Sequence, residues 1–260
     1  MEIIGFIGAV FIGVVLGLIG GGGSILTVPI FVYLLDVDPV QATAYSLFVV
    51  GTTSLVGTIK NLRKNLIDVK TGIIFSIPAF ITVYLTRAFL LPIIPDELVT
   101  INGFVLTKNI GIMLFFAIIM LIAAYFMIVG NTVHHNNKDQ NIKIPLVMIE
   151  GVVVGLLTGI VGAGGGFLII PALVLLANLD MKTAVATSLM IIALKSLLGF
   201  LGDVQNLNID WLFLFSFTLL SVIGIFIGIY LNQFIEGKKL KKGFGWFVLL
   251  MAVYIIVKQL

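Results

Sequence analysis

Apolar residues fall in long runs separated by short polar stretches, and ten runs can be drawn: 3–20, 24–35, 41–59, 70–91, 108–129, 145–161, 166–177, 183–201, 210–232 and 240–258. Several reach the roughly 18 to 20 residues a helix needs to cross a bilayer. The second and seventh, SILTVPIFVYLL and GFLIIPALVLLA, are much shorter. At 1.5 Å per residue a helix of that length covers about 18 Å, too little for a hydrocarbon core of about 30 Å. The pattern therefore predicts eight long helices and two half-helices or re-entrant segments.

Each short run follows a glycine tract. Gly13 to Pro29 reads GVVLGLIGGGGSILTVP, and Gly155 to Pro171 reads GLLTGIVGAGGGFLIIP. A shift of 142 residues superimposes Gly13, Gly17, Gly20, Gly22, Gly23, Leu26 and Pro29 on Gly155, Gly159, Gly162, Gly164, Gly165, Leu168 and Pro171. The same shift carries Asp38, Ala42, Ala44, Ser46 and Leu47 onto Asp180, Ala184, Ala186, Ser188 and Leu189, and Asp68 onto Asp210. Adjacent glycines cost a helix about 1 kcal/mol each, so two tracts in register predict a shared task. The chain reads as two copies of one unit: a first transmembrane repeat over 1–130, a polar connector over 131–144 and a second repeat over 145–260. The match fades after about residue 75, and the first copy carries extra residues around Leu91 to Leu106, with Pro92 and Pro95.

Composition agrees: 60% of the 260 residues are hydrophobic and 10% charged, against about 25% charged in soluble domains. Mean hydropathy is +1.23. A net charge of +3 then informs topology and not nucleic-acid binding. The absence of cysteine excludes disulfides and thiolate metal sites. The N-terminus has no basic segment before its apolar run and reads as the first membrane element, not a removable signal.

Basic residues select between two topologies. If each short element returns to its own side, the segments at 60–70, 131–143, 178–182 and 236–242 share a face carrying Lys60, Arg63, Lys64, Lys70, Lys138, Lys143, Lys182, Lys238, Lys239, Lys241 and Lys242. The other face holds Arg87, Lys108 and Lys258. If the short elements merely extend the preceding helices, the two faces carry equal numbers. Positive charge gathers in the cytoplasm, so the first arrangement is expected: inverted repeats in the plasma (inner) membrane, a cytoplasmic connector and both termini outside the cytoplasm.

A helix restarting after a glycine break offers unpaired N–H groups and the positive end of its dipole, a site suited to an anion. The expected substrate-binding residues are Gly21, Gly22, Gly23 and Ser24 in the first copy and Gly164, Gly165 and Gly166 in the second. Ser46, Thr53, Ser188, Lys195 and Ser196 on the third element of each copy join them. Lys195 is thirteen residues into its apolar run, where a lysine faces a partner or a cavity, or snorkels to an interface. Thr53 is its equivalent, so the copies differ there. The spaced pairs Gly13/Gly17, Gly155/Gly159 and Gly224/Gly228 read as close-packing positions. Arg87 reads as an interfacial anchor, Asp68 and Asp210 as helix N-caps, and His134/His135 as part of a solvated loop. No cofactor, metal site, catalytic group or nucleic-acid partner is expected; the partners are a small anion and the lipid bilayer, with a homo-oligomer left open.

The motifs GxxxGxxGGGGSxxxVP at Gly13 to Pro29 and GxxxGxxGAGGGFLIIPAL at Gly155 to Leu173, with TAVATSLMIIALKSLLGFLGD from Thr183 to Asp203, resemble the sulfite exporter TauE/SafE family of membrane transporters. The resemblance covers nearly the whole chain. It implies an all-α, polytopic carrier of small sulfur-containing anions, such as sulfite or organosulfonates, working by alternating access. The alternative is a non-transporting membrane assembly or sensor module.

Overall fold

The computed structural model describes residues 2–95, 97–101, 104–129, 144–162, 164–175, 177, 179–232, 234 and 237–259. His134, His135 and the rest of the polar connector up to Lys143 lie outside the described residues. Ten helical elements follow in order: α1 Glu2–Ile19, α2 Ser24–Leu34, α3 Pro39–Leu62, α4 Val69–Ile93, α5 Lys108–Val129, α6 Ile144–Val161, α7 Gly166–Leu175, α8 Met181–Val204, α9 Trp211–Leu231 and α10 Gly237–Gln259. The shift of 142 residues pairs α1 with α6, α2 with α7, α3 with α8 and α4 with α9; α5 and α10 correspond by their order in each half, the extra residues around Leu91 to Leu106 having displaced the register. Six of the described helices contain a span long and apolar enough to cross a membrane, namely α3, α4, α5, α6, α8 and α9. The chain is a multi-pass membrane protein.

Four of the long helices start where a carboxylate caps them. Asp38 Oδ1 accepts from the Val40 amide at 2.9 Å, with Pro39 opening α3, and Asp180 Oδ1 accepts from Lys182 at 3.0 Å at the start of α8. Asp68 and Asp210 accept from Thr71 and Phe213, each at 3.1 Å. Each cap satisfies amides that have no partner within the helix, and the four form two equivalent pairs.

Packing exchanges the halves. α1 lies on α9, its equivalent α6 lies on α4, and α3 and α8 pack on each other, as do α5 and α10. Missing side chains make the first two contacts close. A Cβ on Gly17 would stand 2.5 Å from the Ile225 carbonyl, one on Gly155 2.6 Å from the Ala79 carbonyl, and one on Gly159 2.8 Å from Thr86 Cβ. These are the small-residue seams expected of membrane helices, where association depends on close packing and not on escape from water. Asn232 Nδ2 also donates to the Leu18 carbonyl, tying the far ends of α1 and α9 together.

The α3–α8 pair forms the centre: 72% of the apolar window in each is buried, against 33% in α4 and 44% in α9. Its register is antiparallel. Cβ positions built on Gly57, Gly51 and Gly199 lie 3.2 Å from Leu189, 2.9 Å from Leu197 and 3.8 Å from Leu47, so residue numbers rise on one helix as they fall on the other. Two equivalent hydrogen bonds close the ends: the Asp68 amide donates to Thr187 Oγ1 at 3.0 Å and the Asp210 amide to Tyr45 Oη at 2.8 Å.

The first short element folds back on the helix before it. Gly23 packs on Leu16 and Ile12, Gly8 on Ile30 and Gly5 on Leu35, so α1 and α2 form a re-entrant hairpin. Pro29 lacks the N–H that α-helical bonding would use, and from Ile30 to Leu34 the chain winds as a π-helix. Three features depart from the sequence expectation. The extra residues of the first half form an antiparallel hairpin, β1 Glu97–Ile101 and β2 Phe104–Thr107. Thr86–Leu90 in α4 is another π-helical turn. The helix α10 starts at Gly237, so Lys238, Lys239, Lys241 and Lys242 lie in its opening turns and not in a loop.

The outer surface is apolar, with Leu212, Ile93, Val257 and Leu250 all strongly exposed, while Ser24, Thr27, Ser46, Thr53, Ser54, Lys195 and Ser196 are fully buried. Exposed apolar surface of this extent marks contact with lipid, and the polar interior marks what the lipid-facing shell encloses.

Candidate functional site

The two glycine breaks meet in the middle of the bundle. Gly21 and Gly166 touch backbone to backbone: a Cβ on either would collide with the other's Cα, and both sit against Ile192 Cδ1. Gly164 lies on Val50 and Ile192 and 3.2 Å from Ser24 Cβ, measured from a built Cβ. Val50 and Ile192 are equivalent residues near the midpoints of α3 and α8, so the breaks meet at mid-depth. Gly20 and Gly162, also equivalent, turn the chain with φ of 74° and 70°, a conformation that disfavours any residue with a Cβ. The second break carries a further left-handed residue, Gly165, at φ 66°; its equivalent Gly23 is right-handed at φ −66°. The copies are thus unlike where the chain restarts.

Lys195 accounts for part of that difference. Its ammonium lies 2.9 Å from a Cβ position on Gly165 and donates to Thr158 Oγ1 at 2.8 Å. The side chain is 0% exposed, so it does not snorkel. Among the described residues no carboxylate pairs with it, and Arg87–Asp203 is the ion pair found there. Thr158 in turn donates to the Val154 carbonyl at 2.7 Å, which leaves its lone pairs directed to the ammonium. A desolvated cation whose partner is a neutral hydroxyl is costly, and an anion beside it would remove that cost.

The other expected residues divide. Gly21 to Gly23 form a single 3₁₀ turn, and Ser24 Oγ donates to the Gly21 carbonyl at 2.6 Å. Thr53 Oγ1 donates to Ser221 Oγ at 3.1 Å. The Ser196 hydroxyl, next to Lys195 in sequence, is buried without a partner, as are those of Ser54 and Ser46. Ser188 Oγ donates to the Val185 carbonyl of its own helix at 2.8 Å. Ser46 and Ser188 stand eight residues before Ser54 and Ser196, about 12 Å along their helices. Ser46 flanks the centre, whereas Ser188 Oγ lies 2.9 Å from a Cβ position on Gly20 and so borders the first break.

Arg87 corrects the sequence reading. It is 1% exposed and not interfacial. Its Nη1 donates to Thr43 Oγ1 at 3.0 Å and lies 3.4 Å from Asp203 Oδ1. Gly202 makes this burial possible, because a Cβ there would sit 3.0 Å from Arg87 Cβ. Thr43 packs directly on Gly162, so the second break is approached by Lys195 at Gly165 and, through Thr43, by Arg87 at Gly162. Sequence reasoning also passed over Thr158, whose equivalent is the apolar Leu16, and Glu150, a half-buried carboxylate in α6. A lone acid in an apolar run was the available signal for the latter.

The sulfite exporter TauE/SafE family model matches residues 5–255. The chain belongs to this family. It is similar to a probable membrane transporter protein of Xylella fastidiosa (strain 9a5c), 26% identical over 94% of this chain and 91% of the relative. It is also similar to the probable membrane transporter protein YunE of Bacillus subtilis (strain 168), 27% identical with the same coverage. A probable membrane transporter protein of Methanocaldococcus jannaschii is 32% identical over 43% of the chain and 44% of the relative. No solved structure matches the chain. As a TauE/SafE family member it is a membrane transporter and not an enzyme, which sets aside the non-transporting module.

Proposed function

We propose that this TauE/SafE family protein is a secondary carrier of small sulfur-containing oxyanions, sulfite or an organosulfonate. The anion is held where the two glycine breaks meet and is transported by alternating access. The observation that carries the reading is Lys195: a fully buried ammonium at the start of α7, bonded to the neutral Thr158 hydroxyl. In this reading the first amides of α7, which helix geometry leaves without a partner in the helix, and the Ser196 hydroxyl, buried without a partner, would also bond the anion, and the helix dipole would add to the positive potential. Gly21, Gly22, Gly23, Ser24 and Thr53 form the opposing wall, with Gly164, Gly165 and Gly166 on the side of the lysine. Ser46 and Ser188 border the approach from the two membrane faces.

The halves 1–130 and 145–260 act as inverted repeats joined by a cytoplasmic connector, with both termini outside the cytoplasm of a plasma-membrane protein. Antiparallel packing of the equivalent helices α3 and α8 supports inversion, and the lysine-rich ends support the orientation. Inverted repeats with broken helices meeting at mid-depth suit rocking of one group of helices against another.

The experiment is uptake of labelled sulfite into proteoliposomes, with binding measured in detergent by thermal shift. Wild type should move sulfite and be stabilised by it, and Lys195→Ala should insert normally and lose at least tenfold in affinity. Unchanged affinity in Lys195→Ala would remove the lysine from the site. Absence of flux for sulfite, sulfonates and thiosulfate alike would remove the substrate class.

A further inference from the structure

Arg87 keeps one edge of its guanidinium free. The guanidinium is buried, yet it uses one corner: Nη1 meets both Thr43 Oγ1 and Asp203 Oδ1. Nε and Nη2 are buried with no hydrogen-bond partner, and so is Asp203 Oδ2. Nε and Nη2 form one side of the planar group. Their N–H bonds run parallel at a spacing that matches two oxygens of one oxyanion. Leaving two charged donors unpaired in the interior costs more than any other unsatisfied group described in this protein.

The fold does not demand this arrangement. The shift of 142 residues takes Arg87 to Ile229, Asp203 to Asn61 and Thr43 to Val185. The equivalent corner at the opposite end of the α3–α8 pair is closed without a charge, although the helices pack in the same way. The pair uses one guanidinium nitrogen and one carboxylate oxygen and leaves two donors and one acceptor buried and unpaired. Its place is specific as well. Thr43 joins it to the positive-φ glycine at the second break, and Asp203 lies eight residues beyond Lys195, about 12 Å along α8, toward the end where α8 finishes.

We infer that the Nε–Nη2 edge of Arg87 is a second oxyanion subsite, engaging two oxygens of the cargo between one membrane face and the Lys195 centre. Asp203 holds the guanidinium by Nη1 so that the edge faces the path, and competes with the anion for its charge. The inference rests on the anion-carrier reading. Because the edge is sealed in this structure, the anion reaches it when the N-terminal end of α3 parts from the C-terminal end of α8. The subsite selects for geometry: a sulfite or sulfonate group presents paired oxygens, whereas a halide presents one point of charge.

The test compares sulfite and bromide binding to the purified full-length protein in wild type, Arg87→Lys, Asp203→Asn and Lys195→Ala. Arg87→Lys keeps a cation for Asp203 but has no bidentate edge. It should weaken sulfite binding about tenfold and leave bromide unchanged. Asp203→Asn keeps the shape and removes the competing charge; it should tighten sulfite binding several-fold. Equal loss of sulfite and bromide in Arg87→Lys, or no change in either, overturns the inference, as does weaker or unchanged sulfite binding in Asp203→Asn. If sulfite binding responds to Lys195→Ala and ignores both Arg87→Lys and Asp203→Asn, this subsite falls and the carrier reading stands. If wild type binds no sulfite, the same comparison is made with a sulfonate and with thiosulfate; if it binds none of the three, the carrier reading falls and takes the subsite with it.

Discussion

Thr53 and Lys195 occupy equivalent positions on the two central helices and bond differently: Thr53 Oγ1 to Ser221 Oγ at 3.1 Å, Lys195 Nζ to Thr158 Oγ1 at 2.8 Å. The repeat thus places a neutral hydroxyl on one side of the mid-depth contact and a cation on the other. Two copies of the same backbone give one charged centre and not two. Thr53→Val should cost about 1 kcal/mol for the lost hydrogen bond and reduce sulfite-induced stabilisation less than Lys195→Ala does. Thr53→Lys would bury a second cation opposite Ser221, with a penalty of several kcal/mol. Thermal melts with and without sulfite separate the two effects.

The glycine seams predict a sharp positional contrast. A Cβ on Gly17 would stand 2.6 Å from the Ile229 amide nitrogen and 2.8 Å from the Gly228 carbonyl carbon. Backbone atoms cannot move aside as a flexible side-chain end can. Gly17→Ala should therefore lower stability by about 1–3 kcal/mol through forced separation of α1 and α9. Gly243→Ala is the control, because a Cβ there meets nothing within 4 Å, and in α10 alanine is the better helix former. The melting temperature should fall for the first and hold or rise for the second.

Antiparallel packing of α3 and α8 can be checked in a chain without native cysteine. Cysteines replacing Gly57 and Leu189 should cross-link, since a Cβ on Gly57 lies 3.2 Å from Leu189 Cδ1. Cysteines replacing Leu47 and Leu189, equivalent positions that would adjoin in a parallel pair, should not. Cysteine at Asn65 should be labelled from the cytoplasm and cysteine at Asn206 from the opposite side. The reverse labelling would overturn the proposed orientation.

What the sequence disclosed and what it hid follow from the range of the interactions. The ten elements, the short α2 and α7 after their glycine tracts and the caps at Asp68 and Asp210 come from local rules: run length, glycine tracts and a carboxylate before a helix; the caps at Asp38 and Asp180 follow the same rule and were passed over. The meeting of the breaks was also readable, because a repeat with two central helices brings equivalent residues together. Arg87 was misread because its burial depends on Gly202 and Asp203, more than a hundred residues away and in the other half. The one-dimensional pattern shows an arginine near the end of an apolar run, and snorkelling is the usual explanation. Thr158 was passed over because its equivalent, Leu16, carries no polar group, so the repeat gave no sign of it. The same asymmetry gives both residues their interest.

Asp180, outside the membrane-spanning segments, makes stability depend on pH. Partial burial raises the Asp180 pKa, but hydrogen bonds from the Thr183 side chain and amide and the Lys182 amide, with the charge of Lys182, outweigh it and hold the carboxyl below its usual range. The folded state therefore favours the ionised form more than the unfolded chain does. For a carboxylate depressed on folding, the stabilisation is fully present above the unfolded pKa, near 3.9. It is lost as pH falls through the lower folded value, where the capped carboxylate takes up its proton. Asp180→Asn removes the charge that responds to pH and keeps an acceptor for the Lys182 and Thr183 amides. The variant should thus melt below wild type at about pH 7, and the gap should close on acidification once pH passes below about 4. A gap that stays constant or widens toward low pH would show that the cap acts through shape alone, without the charge.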